Sequence, residues 1–393
     1  MNASGRRRCL AGAAGALALA TAFCAPAAGD APQPGKLDVP YEPTHPEVVD
    51  AMLKLAKVTR EDVVYDLGCG DGRIVVAAAK KLGARGAGMD LDPERIKEAV
   101  ENAQLAGVAD RVKFSVADIM TSDLREATVV TMYLLESVNR MVRPKLFADL
   151  KPGTRIVSHA FSMGDWEHDG LLRHPKARNN LVYLWIVPAA VGGTWEWAAK
   201  AGNAEVGFTL ALTQEFQAAT GTLAAAGGQP APIRDATIAG TEIKWSGTWM
   251  SGAESVQITC RGTVSGDTIQ GTQEWRGGPN PGTYPWAAKR KPLDLAGAWR
   301  LETKAAEPPL SGTLLIERRG AALAASYTRD KDNRTVPLPD FCLWGASVRF
   351  ELPGQGQPTV FRGNLDAQTG QGTAYKEGWE RELPWTARRK PQP

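Results

Sequence analysis

One run, VVYDLGCGDGRIVVAAAKK from Val63 to Lys81, constrains this chain more than any other. An apolar strand-like segment stops at Gly68, Gly70 and Gly72, and apolar residues then resume at helical spacing. A strand that turns through glycines into a helix begins a βαβ unit, and the missing Cβ atoms let a ligand approach the backbone. The dinucleotide form of this turn is spaced G-x-G-x-x-G and seats a pyrophosphate on the helix N-terminus. Here the spacing is G-x-G-x-G, with Asp66 before the loop and Asp71 inside it. Two carboxylates repel a pyrophosphate and suit a ligand that carries positive charge.

The surrounding residues, 39–191, alternate strands with helices. DVVYDL, ARGAGMD, RVKFSVAD, ATVVTMYLL, TRIVSHAF and LVYLWIVP read as strands, and Arg73 to Leu82 and PERIKEAVENAQLAG as helices. Pro93 at a helix start and Gly107 at a helix end agree with the usual punctuation. This alternation predicts an α/β doubly wound, Rossmann-like domain with a parallel sheet. Beyond residue 192 the texture changes to short alternating strands rich in Gly and Trp. GTW at Gly193 is matched by GAW at Gly297, and YPWAAKR by LPWTARR, so a unit of about 95 residues occurs twice. Residues 192–291 and 292–393 are expected to form two antiparallel β-meander, barrel-like repeats. Trp195, Trp286, Trp299 and Trp385 recur at their ends as core residues do, whereas Trp249 and Trp379 fall outside that pattern.

Residues 1–27 have a different logic. Arg6, Arg7 and Arg8 precede an apolar run from Leu10 to Phe23, and Ala25-Pro26-Ala27 offers an A-x-A cleavage site. That order is a secretory signal, and the adjacent arginines also permit a twin-arginine route. The expectation is an exported, periplasmic protein with a flexible leader at 28–38, or a cytoplasmic one if the signal is not used. Without residues 1–27, 43 basic and 43 acidic residues remain, so no general attraction to nucleic acid is expected. After signal removal, no apolar run reaches the roughly 18 residues of a spanning helix. Cys69, Cys260 and Cys342 are too few and too scattered for a disulfide framework, although a Cys260–Cys342 bridge is allowed in an oxidising compartment. No residues are spaced as metal ligands.

The segment D-L-G-C-G-D-G-R-I resembles the class I, seven-strand S-adenosylmethionine-dependent methyltransferases, over roughly residues 39–191. The resemblance implies S-adenosyl-L-methionine as cofactor. It implies that Asp66, Gly68, Gly70 and Gly72 cradle the methionine part. It places Asp90 on the ribose hydroxyls, Asp118 on the adenine amine and Ile119 against the ring. A carboxylate can accept from both ribose hydroxyls, and an acceptor matches an exocyclic amine. YEPTHPEVVDAMLKLA further resembles the Y-x-P-T/S lead-in of the mitochondrial-type protein-lysine methyltransferases, which makes Tyr41 and Thr44 candidate lid contacts.

Methyl transfer from a sulfonium needs alignment and exclusion of water more than a fixed triad. Acceptor contacts are expected after the fourth strand, where many nitrogen methyltransferases carry N/D-P-P-Y/F. This chain has MYLLESVN instead, leaving Tyr133, Glu136 and Asn139 as candidates and planar nitrogens disfavoured. His159 in SHAFSMGDW is a candidate base, since histidine titrates near neutrality. The expected acceptor is a protein lysine amine. The alternatives are an envelope small molecule, or a non-catalytic nucleoside-binding or interaction protein on the same fold.

Overall fold

The computed structural model describes residues 41–391 apart from 177, 202–203, 304–309, 320–321, 355–357 and 377–381. The signal, the leader and Trp379 lie outside the described residues. The order from the start is α1 (Pro46–Leu55), β1 (Val63–Leu67), α2 (Arg73–Leu82), β2 (Arg85–Asp90), α3 (Pro93–Ala106) and β3 (Val112–Val116). Then come β4 (Val129–Met132), α4 (Glu136–Asp149), β5 (Arg155–His159), β6 (Gly170–Arg173) and β7 (Leu181–Ile186). They form a seven-stranded sheet of order β3-β2-β1-β4-β5-β7-β6.

Local chemistry sets the helix ends. Left-handed Gly72 and Gly83 bracket α2 at φ 74° and 71°, a conformation that disfavours residues with a Cβ. Asp92 caps α3 by accepting from the Glu94 N–H at 2.9 Å, and Pro93 occupies its first turn.

The sheet is mixed rather than wholly parallel, because β7 runs antiparallel to β5 and to β6. Its helix layers are also unequal. On one face Val48, Met52, Ile74 and Ala78 of α1 and α2 pack with Val64, Val129 and Val157. The other face carries α4, while 117–128 and 160–169 connect their strands without a helix. Part of the second layer comes from the C-terminal half instead. Phe216, Cys342 and Trp344 pack with Val142, Leu146, Trp166 and Trp185 in one buried cluster.

Residues 193–290 form a 9-stranded antiparallel sheet that includes the two-residue strand Ala231–Pro232. Strands Ala204–Glu215 and Ala218–Ala225 pair, and Gly282–Arg290 pairs back onto Gly193–Ala201, so the meander closes into a barrel. Its interior is filled by side chains, among them Trp195, Trp245, Trp249, Trp275 and Trp286. Residues 297–389 form a second 9-stranded meander, whose end strands Thr335–Pro337 and Cys342–Trp344 leave a seam. Trp299 and Trp385 sit in its core.

Both meanders join their first and last long strands through the same clamp. Trp195 Nε1 donates to the Val191 carbonyl at 2.7 Å and Trp299 Nε1 to that of Leu295 at 3.0 Å. The Arg290 guanidinium lies 4.5 Å from the Trp195 ring centroid, and that of Arg389 lies 5.5 Å from Trp299. The Cys260–Cys342 bridge that the sequence allows does not form. Both thiols are free, Cys260 in the first barrel and Cys342 in the cluster against α4.

The contact between the sheet domain and the barrels is also ionic. Phe216, at a hairpin tip with φ 53°, lies beneath the guanidinium groups of Arg143 and Arg349, 5.1 and 5.8 Å from its centroid. These arginines are 0% and 1% exposed and share the Asp165 carboxylate. Arg140 donates twice to Glu351, at 3.0 Å each. Asp165 therefore holds the domains together and does not face the cofactor cleft.

Candidate active site

A cleft opens at the carboxyl ends of β1, β2 and β4, where open α/β sheets bind ligands. Tyr41, Thr44, Asp66, Gly68, Gly70, Asp90, Asp118 and Ile119 all line it, as the sequence suggests. Its charge is one-sided: Glu42, Asp66, Asp71, Asp90, Asp92 and Asp118 face Arg73 and Arg95.

Asp66 is the group most in need of a partner. It is 2% exposed, and its one hydrogen bond comes from Thr131 Oγ1 at 2.7 Å. Burial, aided by the nearby Asp90 and Asp71 charges, pushes its carboxyl up to about 7. A cationic ligand would reverse that effect. Asp71 is different, because Arg73 meets it with Nε at 2.8 Å and Nη2 at 2.6 Å. The repulsion toward a pyrophosphate that the sequence assigns to Asp66 and Asp71 thus falls on Asp66 and Asp90.

The glycines divide by role. An added Cβ on Gly68 would lie 2.8 Å from Leu134, and one on Gly70 2.5 Å from the Tyr41 ring, which covers the loop. Gly72 does not line the cleft. Its Cβ would meet Phe114 at 2.7 Å and Ala99 at 2.8 Å, so it lets α2 pack closely and is not a ligand contact.

At the rim, Asp90 accepts the N–H groups of Gly70 at 2.9 Å and Asp92 at 3.0 Å, one on each oxygen. Each oxygen retains a lone pair for a ribose hydroxyl. Asp118 accepts from the Met120 N–H through Oδ1, which leaves Oδ2 open beside Ile119. Carboxylates for the cation and the ribose, glycines without Cβ atoms and an open acceptor beside an apolar ring contact fit S-adenosylmethionine.

The four acceptor-side candidates separate clearly. Tyr133 lines the cleft with its ring 4.0 Å from that of His159, and its buried hydroxyl is approached by Arg178 and Glu42 without a well-aligned hydrogen bond to either. His159 is no free base. Its Nε2 accepts from the Arg178 N–H at 2.9 Å, so the neutral ring carries its proton on Nδ1, 3.1 Å from Thr44 Oγ1. Burial pushes it down to about 4. Asn139 is 0% exposed and donates to Ser158 Oγ and the carbonyls of Phe161 and Ser162, which fixes the loop after β5. Glu136 accepts from Ser162 Oγ at 2.7 Å and lies outside the cleft lining.

Sequence reasoning missed Glu42, Arg73, Arg95, Leu134, Val138 and Met141, all of which line the cleft. The last three stand at i, i+4 and i+7 after β4, a helical apolar stripe that could have been read. Among the described residues no cluster could hold a metal ion.

The mixed sheet and this acidic, glycine-walled cleft define a class I S-adenosylmethionine-dependent methyltransferase, and the chain belongs to that family. S-Adenosylmethionine is its cofactor. Residues 66–170 match the ANTKMT methyltransferase domain. The chain is 46% identical to a protein-lysine N-methyltransferase of Saccharolobus islandicus over 151 residues, 38% of this chain and 94% of that protein. It is 36% identical to the adenine nucleotide translocase lysine N-methyltransferase of Mus musculus over 135 residues, 34% of this chain and 58% of the mouse protein. A crystal structure of an RNA methyltransferase from Salinibacter ruber with S-adenosyl-L-homocysteine is 51% identical, covering 38% of this chain and 96% of that one, at a TM-score of 0.37.

Proposed function

We propose that this methyltransferase acts on lysine side-chain amines of proteins. The observation that carries the reading is the 46% identity over nearly the whole length of a protein-lysine N-methyltransferase. The acidic cleft supports it, because an amine acceptor arrives as a cation.

When bound, the cofactor supplies a methyl group on a sulfonium that an amine lone pair can displace. The chain's own residues hold and align. Asp66 takes the cationic end, Gly68 and Gly70 permit close approach, Asp90 takes the ribose, and Asp118 with Ile119 takes the adenine. Tyr41 and Thr44 close the lid, where Arg73 Nη1 donates to the Thr44 carbonyl at 3.0 Å. Tyr133 supplies a hydroxyl on the acceptor side, beside Glu42 and Arg178. With His159 engaged at both nitrogens, the proton of the acceptor leaves to water.

The test is transfer of radiolabelled methyl groups into a bacterial extract, followed by mass spectrometry of labelled proteins. Methyl-lysine is expected. Label confined to small molecules or to RNA overturns the reading.

We further read the two barrels as copies of one unit, supported by their matching Trp–Arg clamps, and the chain as exported, supported by the signal pattern in residues 6–27. Fractionation of an untagged strain tests the second point, and an uncleaved cytoplasmic protein would overturn it.

A further inference from the structure

We infer that Glu42 is the receptor for the acceptor's amine, and that Arg178 occupies its place until the acceptor arrives. This rests on the lysine reading above and names the residue that would make the site select a cation.

Of the six carboxylates in the cleft, five have other work. Asp66, Asp90 and Asp118 face the cofactor's groups, Asp71 is held by Arg73, and Asp92 caps α3. Glu42 remains. It stands at the second position of the lid segment, next to Tyr41, and its carboxylate pairs with Arg178 of the β6–β7 connection. Glu42 lines the cleft together with Tyr133, and Arg178 meets it from outside that lining. Beside the pair lie the Tyr133 hydroxyl, within reach of both Glu42 and Arg178, and the ring of Phe161, which is 5.7 Å from the Arg178 guanidinium and 6.2 Å from the Tyr133 ring. Carboxylate, aromatic face and hydroxyl are what a lysine head and its methylene stem need. A guanidinium already sits there, on the protein's own chain.

The Glu42–Arg178 pair is made to open. Its side chains are 50% and 49% exposed, and ion pairs so wetted contribute little stability. The lid does not depend on it, because Arg73 donates to the Thr44 carbonyl and the Thr44 hydroxyl meets buried His159.

The incoming ammonium replaces Arg178 at Glu42 and gives one proton to water at the exposed mouth. Its lone pair then forms the N–C bond as the bond from methyl to sulfur breaks. Positive charge passes from sulfur to nitrogen, where Glu42 and the Tyr133 hydroxyl oxygen face it. A carboxylate placed where charge develops favours the transition state over the neutral amine.

Full-length wild type, Glu42→Gln and Arg178→Ala are compared in three measurements. These are methyl transfer into the protein fraction of a bacterial extract, binding of a decalysine peptide by fluorescence anisotropy, and binding of S-adenosylhomocysteine by calorimetry. Glu42→Gln is expected to lose about tenfold or more in transfer rate and peptide affinity, as loss of a charged hydrogen bond does. Its retained S-adenosylhomocysteine binding shows that the cleft is intact. Arg178→Ala is expected to bind decalysine more tightly than wild type, because the internal competitor is gone. If Arg178 were only a lid anchor, that variant would instead weaken both ligands. Unchanged transfer and peptide binding in Glu42→Gln, or weaker peptide binding in Arg178→Ala, overturns the inference and leaves the lysine reading standing. A wild type that labels no protein overturns both.

Discussion

Cofactor binding should release a proton, and Asp66 should be its source. In the free protein burial raises this carboxyl from 3.8 to about 7, with one hydroxyl to hold the charged form. The folded state therefore keeps the proton through a range in which an unfolded Asp has lost it. Stability of the ligand-free protein consequently falls as pH rises from about 4 to 7, by up to about 1.4 kcal/mol per unit. A cationic cofactor needs the ionised form, so its affinity moves the other way. Between pH 7 and pH 5.5 the association constant should drop about 16-fold, or about 1.6 kcal/mol, and it should level off only above about pH 8. Calorimetry with S-adenosylmethionine in buffers of different ionisation enthalpy would show release approaching one proton per site near pH 6. Asp66→Asn should bind weakly and lose the pH dependence. Thr131→Val, which removes the hydrogen bond to the charged form, should move the inflection upward. A flat affinity from pH 5.5 to 8 with no proton release would refute both the ionisation of Asp66 and its contact with the cation.

Other outcomes test other parts of the molecule. Gly70→Val places a Cβ 2.5 Å from the Tyr41 ring at φ +52°, so it should cost about 1–2 kcal/mol in backbone strain and at least tenfold in cofactor affinity. The His159 ring should show no titration between pH 5 and 8 by NMR, because burial holds it neutral down to about 4. Asp165→Ala should destabilise the protein by about 2–3 kcal/mol in denaturant unfolding. That is less than a fully buried pair loses, since the Asp165 side chain is 44% exposed while its arginines are not. Trp344→Ala should lower stability by about 3–5 kcal/mol, and its loss should be felt in the sheet domain as well as in the second barrel.

The sequence was most legible where structure is local. Helix α2 is readable to the residue, because glycines that must be left-handed stand at both ends. Strand ends are off by one to three residues, since pairing rather than composition decides where a ladder stops. Strand β6 went unread: GLLR is four residues long and half-exposed, with too little alternation to notice. The direction of β7 was hidden because LVYLWI has the same residues whichever way it runs. Closure of the first barrel depends on Arg290 meeting Trp195 across the chain, which no local pattern records. The same limit governs the site. The cleft carboxylates Asp66, Asp90 and Asp118 follow strands and could be found by position. His159 and Asn139 have suggestive side chains, but partners from other segments consume both ring nitrogens of His159 and the amide nitrogen of Asn139. Glu42 could not be found at all, for its partner is 136 residues away.

Helix α4 belongs to two structures at once. Val138 and Met141 form part of the cofactor cleft, while Arg140 and Arg143 on the same helix grip the β-rich half. A helix is too stiff for one side to shift and the other to stay. Whatever docks on the barrels thus presses on a wall of the cofactor cleft, and whatever fills the cleft steadies the barrels. Thermal shift on adding cofactor should accordingly be one transition for the whole described chain, and the β-rich half cannot be exchanged as a passenger domain without retuning the cleft.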